Sequence, residues 1–154
     1  MADILQITAR IQTADVEGAG SEELLYLGIG GREFVLDRPG RTDLRRGEQA
    51  DYVLGENSNV MNPDDNDPRF PQLDTDDLDR YPVYLRLHPS TSRDVEVDWS
   101  LERARVTVQP SNAKVRHYFD QPYLIGGDRK GRIKLGARAG VVLYLKRSDA
   151  EPVT

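Results

Sequence analysis

Apolar and polar residues alternate along most of the chain, which is the pattern of half-buried β-strands. From Leu5 to Ile11 every second residue is apolar, and successive side chains of a strand point to opposite faces. The same alternation predicts further strands around residues 25–29, 34–36, 50–54, 83–87, 104–108, 115–119, 123–125, 132–135 and 141–145. Short strands at this spacing, with turn signals such as Gly30-Gly31, predict an antiparallel sandwich or barrel.

The inward phase of this alternation predicts the core. Trp99 is the single tryptophan, and a strand position with alternating neighbours makes it a core anchor. We expect the buried set to include Trp99, Ile7, Leu27, Tyr52, Val106 and Leu143. We also expect Asp51 and Arg46 to tie a loop to a strand.

One stretch breaks the alternation, the acidic segment at residues 56–82. It contains four prolines, and residues 60–82 hold seven Asp against two Arg, a local charge of −5 that equals the net charge of the chain. Proline has no N–H to donate to a strand ladder. The segment is therefore predicted to be a long loop on the surface, inserted between two strands. We expect it to project from the sandwich and to contribute little folding stability.

Length and composition are those of one domain, residues 1–154. The absence of Cys excludes disulfides and thiolate metal sites. The first residues lack the charged and apolar regions of a signal peptide, and no apolar run approaches the roughly 20 residues of a membrane span. We therefore expect a cytoplasmic protein.

Four blocks of sequence, taken in order, resemble the PLAT domain, also called the lipoxygenase homology (LH2) domain. They are residues 7–11 with 18–22, residues 25–31, residues 44–47 with 51–52, and residues 99–108. The third is similar to the family's F-x-R-G-x-x-D-x-F signature, with Leu44 in place of the usual aromatic residue. The resemblance implies an all-β fold, an antiparallel eight-stranded β-sandwich, with the long acidic loop as an insertion.

The resemblance also implies calcium as a cofactor, because the family often binds calcium in an end loop. Calcium takes about six to eight oxygen ligands. The loop offers four of them, from Asp15, Glu17, the Gly18 carbonyl and Glu22. The aspartates of the acidic segment do not fit an EF-hand, because a loop that starts at Asp74 has Asp79 where glycine is required.

Charge is divided unevenly along the chain, which suggests a docking role. Residues 103–147 hold eleven Lys and Arg against two Asp. The candidate partner-binding residues are Asp64, Asp65, Asp67, Asp74, Asp76, Asp77 and Asp79 on the acidic side, with Arg129, Lys130 and Arg132 on the basic side. A pI near 5.1 argues against nucleic acid as the partner.

Catalytic motifs are missing from the sequence. It has no G-x-S-x-G, its two histidines, His88 and His117, lie in no supporting motif, and residues 126–132 lack the Lys-Ser/Thr of a phosphate-binding loop. The favoured hypothesis is a non-catalytic, PLAT-like module that binds a protein or a membrane surface with the help of calcium. The alternative is a structural subunit of a homo-oligomer or larger assembly, held by contacts between acidic loop and basic face.

Overall fold

The computed structural model describes residues 2–21, 23–40, 44–88, 99–111, 115–121, 133–136 and 140–152, with side chains as far as residue 148. These residues contain nine strands and one short helix. The elements are β1 Ile4–Thr13, β2 Leu24–Ile29, β3 Arg32–Leu36, β4 Gln49–Gly55, α1 Asp77–Arg80, β5 Val83–His88, β6 Trp99–Pro110, β7 Val115–Asp120, β8 Ile133–Leu135 and β9 Val142–Pro152. The strand predicted at residues 123–125 lies outside the described residues.

Every strand pairing is antiparallel, in the order β3-β2-β5-β9-β7-β6-β1-β4, with β8 paired to β6. The first part of β9 pairs with β5 and its second part pairs with β7, so this long strand passes from one layer to the other. The predicted all-β antiparallel sandwich is confirmed. The described residues hold nine strands where the resemblance implied eight.

The two layers enclose a core made by the inward phase of each strand. The indole of Trp99 is fully buried, and its Nε1–H donates to Thr13 Oγ1 at 2.9 Å. Without this bond the indole N–H, which is the only polar group of the Trp99 side chain, would be buried without a hydrogen-bond partner. All six residues predicted to be inside are buried: Trp99, Ile7, Leu27, Tyr52, Val106 and Leu143.

The acidic segment is packed structure, which corrects the expectation that it projects. Val60, Leu73 and Leu78 are buried in the same core as the strands. The backbone of the segment also pairs with the start of β1, since the Ile4 N–H donates to the Leu73 carbonyl at 2.9 Å. This packing was not predictable, because three isolated apolar residues among prolines and aspartates show neither the strand nor the helix period.

The segment also bonds to both strands at the ends of the sheet order. The side chain of Asn59 accepts from the Val53 N–H and donates to the Asp51 carbonyl on β4, both at 2.8 Å. The side chain of Asn66 accepts from the Val35 N–H on β3 at 2.8 Å. Unpaired strand edges are where other chains can add. Here one segment covers backbone groups on both edges.

The strand register defines two ends of the sandwich. We call one the Gly30 end, where the β2–β3 turn at Gly30-Gly31 lies against the acidic segment; a Cβ on Gly30 would be 2.8 Å from Leu73 Cδ1. We call the other the Asp15 end, where the loop after β1 meets the loop before β4 through a bond from the Gly47 N–H to the Ala14 carbonyl. Within the described ranges, no helix is long and apolar enough to cross a bilayer.

Candidate interaction surfaces

The predicted calcium loop lies at the Asp15 end. Asp15, Glu17 and Gly18 are exposed, and Glu22 lies outside the described residues. The Asp15 carboxylate accepts a hydrogen bond from Arg46 Nε at 3.0 Å, so a cation already neutralises it. Among the residues that the structure describes, no three His, Cys, Asp or Glu side chains group as a metal site. The described part of the loop therefore does not fit calcium by itself.

The same bond corrects the expected tie between Asp51 and Arg46. Asp51 instead pairs with Arg10, at 2.9 Å between Arg10 Nε and Asp51 Oδ1. The two residues are direct cross-strand neighbours on β1 and β4, and opposite charges at such positions attract.

Several predicted partner-binding aspartates have cations of their own chain as neighbours. Asp67 is buried and holds Arg69 through both carboxylate oxygens, Asp77 pairs with Arg80, and Asp79 pairs with Arg147. The other two border the helix and are half-buried, and the Asp74 carboxylate accepts a hydrogen bond from the Asp76 N–H at 2.7 Å.

Asp64 and Asp65 are exposed, so these two carboxylates remain accessible to a partner. The three basic candidates, Arg129, Lys130 and Arg132, lie outside the described residues.

Asp67 shows how firmly this part of the chain is held. Burial alone would raise the pKa of its carboxyl, but hydrogen bonds and charge from Arg69 outweigh burial and leave the pKa lowered. The neighbouring Arg32 donates from Nη1 to the Asp67 carbonyl at 2.9 Å and to the Pro71 carbonyl at 3.2 Å. The loop between Asp67 and Pro71 is therefore fixed to the first residue of β3.

That fixed loop presents an apolar side chain to solvent. Phe70 is 69% exposed, which is the highest value for a large hydrophobic residue in the described chain. The guanidinium of Arg69 lies 5.8 Å from its ring centroid. Single exposed hydrophobic residues are common on protein surfaces, and Phe70 becomes a candidate contact residue because a fixed loop holds it in the solvent.

A second exposed aromatic residue lies at the same end. Tyr81 is 48% exposed and lies against the turn, since a Cβ on Gly31 would be 3.0 Å from its ring. We call Phe70 and Tyr81 the aromatic rim. Position 31 favours glycine for two reasons. Its positive φ of 81° is strained for other residues, and the ring of Tyr81 leaves little room for a side chain.

The outer face of the β3-β2-β5-β9 layer carries a third aromatic group. Tyr84 and Tyr144 are cross-strand neighbours with ring centroids 6.2 Å apart and planes at 71°. Tyr144 is 61% exposed. We call this pair the tyrosine notch.

An ion pair borders the notch on the same face. Arg86 binds Glu33 through two bonds of 2.8 and 2.9 Å, and the Tyr84 hydroxyl donates to Glu33 at 2.8 Å. The bond from Arg86 lowers the pKa of Glu33, while burial and the bond to Glu33 raise the pKa of Tyr84. At neutral pH, Glu33 is therefore ionised and Tyr84 keeps its proton.

Neither the aromatic rim nor the tyrosine notch was predicted from the sequence. The notch had one usable signal, which is Gly28 in the interior of a strand. Glycine in a strand often marks a place where another group approaches closely. To say that the group is Tyr84 requires the register between β2 and β5.

Comparisons with known proteins agree with this architecture. No known family profile matches the sequence, and no curated protein matches it by sequence. Solved structures do match. Alpha-toxin from Clostridium absonum aligns with 94% of this chain and 32% of its own, at 20% identity and a TM-score of 0.55. Alpha-toxin from an avian strain of Clostridium perfringens aligns with 99% of this chain and 32% of its own, at 16% identity and a TM-score of 0.52.

A third similar structure is coral 8R-lipoxygenase, a protein with calcium activation via a C2-like domain. It aligns with 94% of this chain and 17% of its own, at 15% identity and a TM-score of 0.53. The chain thus spans a third or less of each of these proteins. At these identities the similarity concerns the fold, which is PLAT-like and C2-like, as the resemblance in the sequence implied.

Proposed function

We propose that this chain is a non-catalytic module that docks on a membrane surface through the aromatic rim at its Gly30 end. The observation that carries the proposal is the exposure of Phe70 on a loop that Arg32 and Arg69 hold in place. Because the loop is already fixed, inserting the ring costs little ordering entropy on binding. Aromatic side chains are also favoured at the boundary between headgroups and acyl chains.

The charge around the rim sets the expected lipid preference. The stretch from residue 60 to 82 has a charge of −5, and two of its aspartates, Asp64 and Asp65, are exposed. Anionic headgroups would repel this surface within a screening length of about 10 Å at 0.1 M salt. The proposal is therefore binding to zwitterionic bilayers, with weaker binding as the fraction of anionic lipid rises.

Sedimentation with phosphatidylcholine vesicles tests the proposal. Phe70→Ala should weaken partitioning at least about tenfold, because full burial of a phenylalanine side chain is worth about 1.5–3 kcal/mol. Leu24→Ala is the matched control, since Leu24 is 40% exposed and begins β2 at the Asp15 end. Equal partitioning of parent and Phe70→Ala, or equal loss in both variants, would contradict the proposal.

Two further hypotheses from the sequence stay predictions. The first is that calcium assists binding through Asp15, Glu17, Gly18 and Glu22. The second is that a protein partner or a second copy docks on the acidic segment and the basic third. The pair between Asp79 and Arg147 joins those two regions within one chain. Light scattering at low and high salt tests whether a second copy docks. If charged contacts hold the copies together, the molecular mass in solution must fall as the salt concentration rises.

A further inference from the structure

We propose that the tyrosine notch is a second binding site, and that it takes a neutral pyranose ring of a carbohydrate. The site lies on the outer face of the β3-β2-β5-β9 layer and goes beyond the membrane contact at the rim. It consists of Tyr84, Tyr144, Glu33 and Arg86.

The floor of the notch is the ring of Tyr84, which lies flat on the sheet. A Cβ on Gly28 would be 2.1 Å from two ring atoms of Tyr84, so only glycine leaves room for the ring at this cross-strand position. Glycine in a strand interior carries an entropic cost of roughly 0.5–1 kcal/mol relative to alanine. The chain thus gives up local stability to hold the half-buried ring of Tyr84 against the sheet.

The wall of the notch is Tyr144. Its ring stands at 71° to that of Tyr84, and it is 61% exposed, so the two rings form an open corner. The apolar C–H face of a sugar ring packs on such an aromatic surface, while its hydroxyl groups remain at the edge. The 6.2 Å between the two ring centroids is an edge contact between the tyrosines, so the exposed face of Tyr144 is the surface on which a single sugar ring can stack.

Polar groups border the two rings on the same face. The pair of Glu33 and Arg86 presents fixed acceptor and donor atoms beside the floor, and the Tyr84 hydroxyl belongs to the same network. Donors and acceptors that are already oriented supply the specificity of a small-ligand site.

Charge balance favours a neutral ligand over an ion. Glu33 and Arg86 cancel each other, so the site has no net charge to attract an anion or a cation. A cation such as the choline group would also meet Arg86, whose guanidinium lies 4.3 Å from the ring centroid of the adjacent Tyr26. A ring with several hydroxyl groups matches both the neutral aromatic floor and the polar border.

Saturation-transfer NMR on the full chain tests this site, with methyl glycosides of glucose, galactose and N-acetylglucosamine as probes and phosphocholine as the cationic comparison. We expect transfer to ring protons of at least one glycoside. Tyr144→Ala should weaken that binding about tenfold, as the loss of one stacking contact implies. Leu24→Ala is the matched control and should leave glycoside binding unchanged, because Leu24 is exposed and lies at the Asp15 end. Melting curves confirm that both variants fold.

Absence of transfer from all three glycosides would overturn the proposal, as would equal loss in the two variants or a stronger phosphocholine signal that Tyr144→Ala removes. Phosphatidylcholine vesicles with and without galactosylceramide then distinguish a glycolipid headgroup from a free glycan. Failure here is separable from failure of the membrane proposal, because pure phosphatidylcholine vesicles contain no sugar and the rim variants leave the notch intact.

Discussion

Asn59 and Asn66, which lie close together in the acidic segment, bond to the backbones of the two strands at opposite ends of the sheet order. Asn59 pairs with β4 through Val53 and Asp51, and Asn66 pairs with β3 through Val35. The segment between them therefore links the two edges of an otherwise open sheet. A chain region that looks like a projecting loop thus completes the sandwich and fixes the loop that carries Phe70.

The two asparagines should differ in their contribution to stability. Asn66 is 4% exposed, so Asn66→Ala leaves the part-buried Val35 N–H without its acceptor and should lower the free energy of unfolding by about 1–3 kcal/mol. Asn59 is exposed, so water replaces its bonds and Asn59→Ala should cost less than half as much. Urea denaturation measures both, and equal costs would contradict the assignment of Asn66 as the buried partner.

Removing apolar side chains from the acidic segment should destabilise the whole protein. Leu73→Ala creates a cavity in the core and should lower the free energy of unfolding by about 2–5 kcal/mol. Phe70→Ala serves as the control, because Phe70 is 69% exposed and its loss should change stability by no more than about 0.5 kcal/mol. Thermal melts measure both variants. A Leu73→Ala melting temperature equal to that of the parent would contradict the finding that the segment is packed in the core.

Acidification should weaken the fold through His117. Burial, followed by the charge of Arg147, lowers the pKa of this imidazole, and Arg147 donates to its Nδ1 at 2.8 Å. A guanidinium only donates, so Nδ1 accepts and the ring is neutral. Between the folded pKa and the ordinary value of about 6.5 the unfolded chain binds more protons. Stability is therefore highest above that window and falls as the pH drops through it.

The melting temperature measured from pH 7.5 to pH 5 checks this sign. His117→Gln cannot take up the proton and should show a flatter profile than the parent over the same range. Carboxylates with lowered pKa values, such as Glu33, titrate below this window and do not interfere. A parent profile that is flat, or that rises on acidification, would contradict the role given to His117.

Calcium should act at the loop after β1 only if it displaces Arg46 from Asp15. Millimolar calcium is predicted to raise the melting temperature, because a ligand that prefers the folded state stabilises it. Arg46→Gln frees the Asp15 carboxylate and should enlarge the shift, whereas Glu22→Ala should abolish it. With chelator as the baseline, no shift in either the parent or Arg46→Gln would end the calcium hypothesis.

Strands such as β1, β3 and β5 were predictable because burial alternates along much of their length. Ile7, Leu27 and Val106 lie inside as the period of two requires. The acidic segment was misjudged because its contacts are long-range: Leu73 meets Ile4, and Asn66 meets Val35, through bonds that leave no periodic trace. The same limit applies to charge. Composition shows that Asp79 and Arg147 have opposite signs, but only the fold brings them to 2.8 Å.

The most direct test of the membrane proposal uses the absence of Cys from the chain, which makes any introduced cysteine unique. Phe70→Cys and Lys134→Cys, the second on the exposed face of β8, each take an environment-sensitive fluorophore. With phosphatidylcholine vesicles we expect a blue shift at position 70, quenched by lipids that carry a quencher in the acyl chain, and no change at position 134. An unchanged spectrum at position 70, or the same shift at both positions, would contradict the membrane proposal.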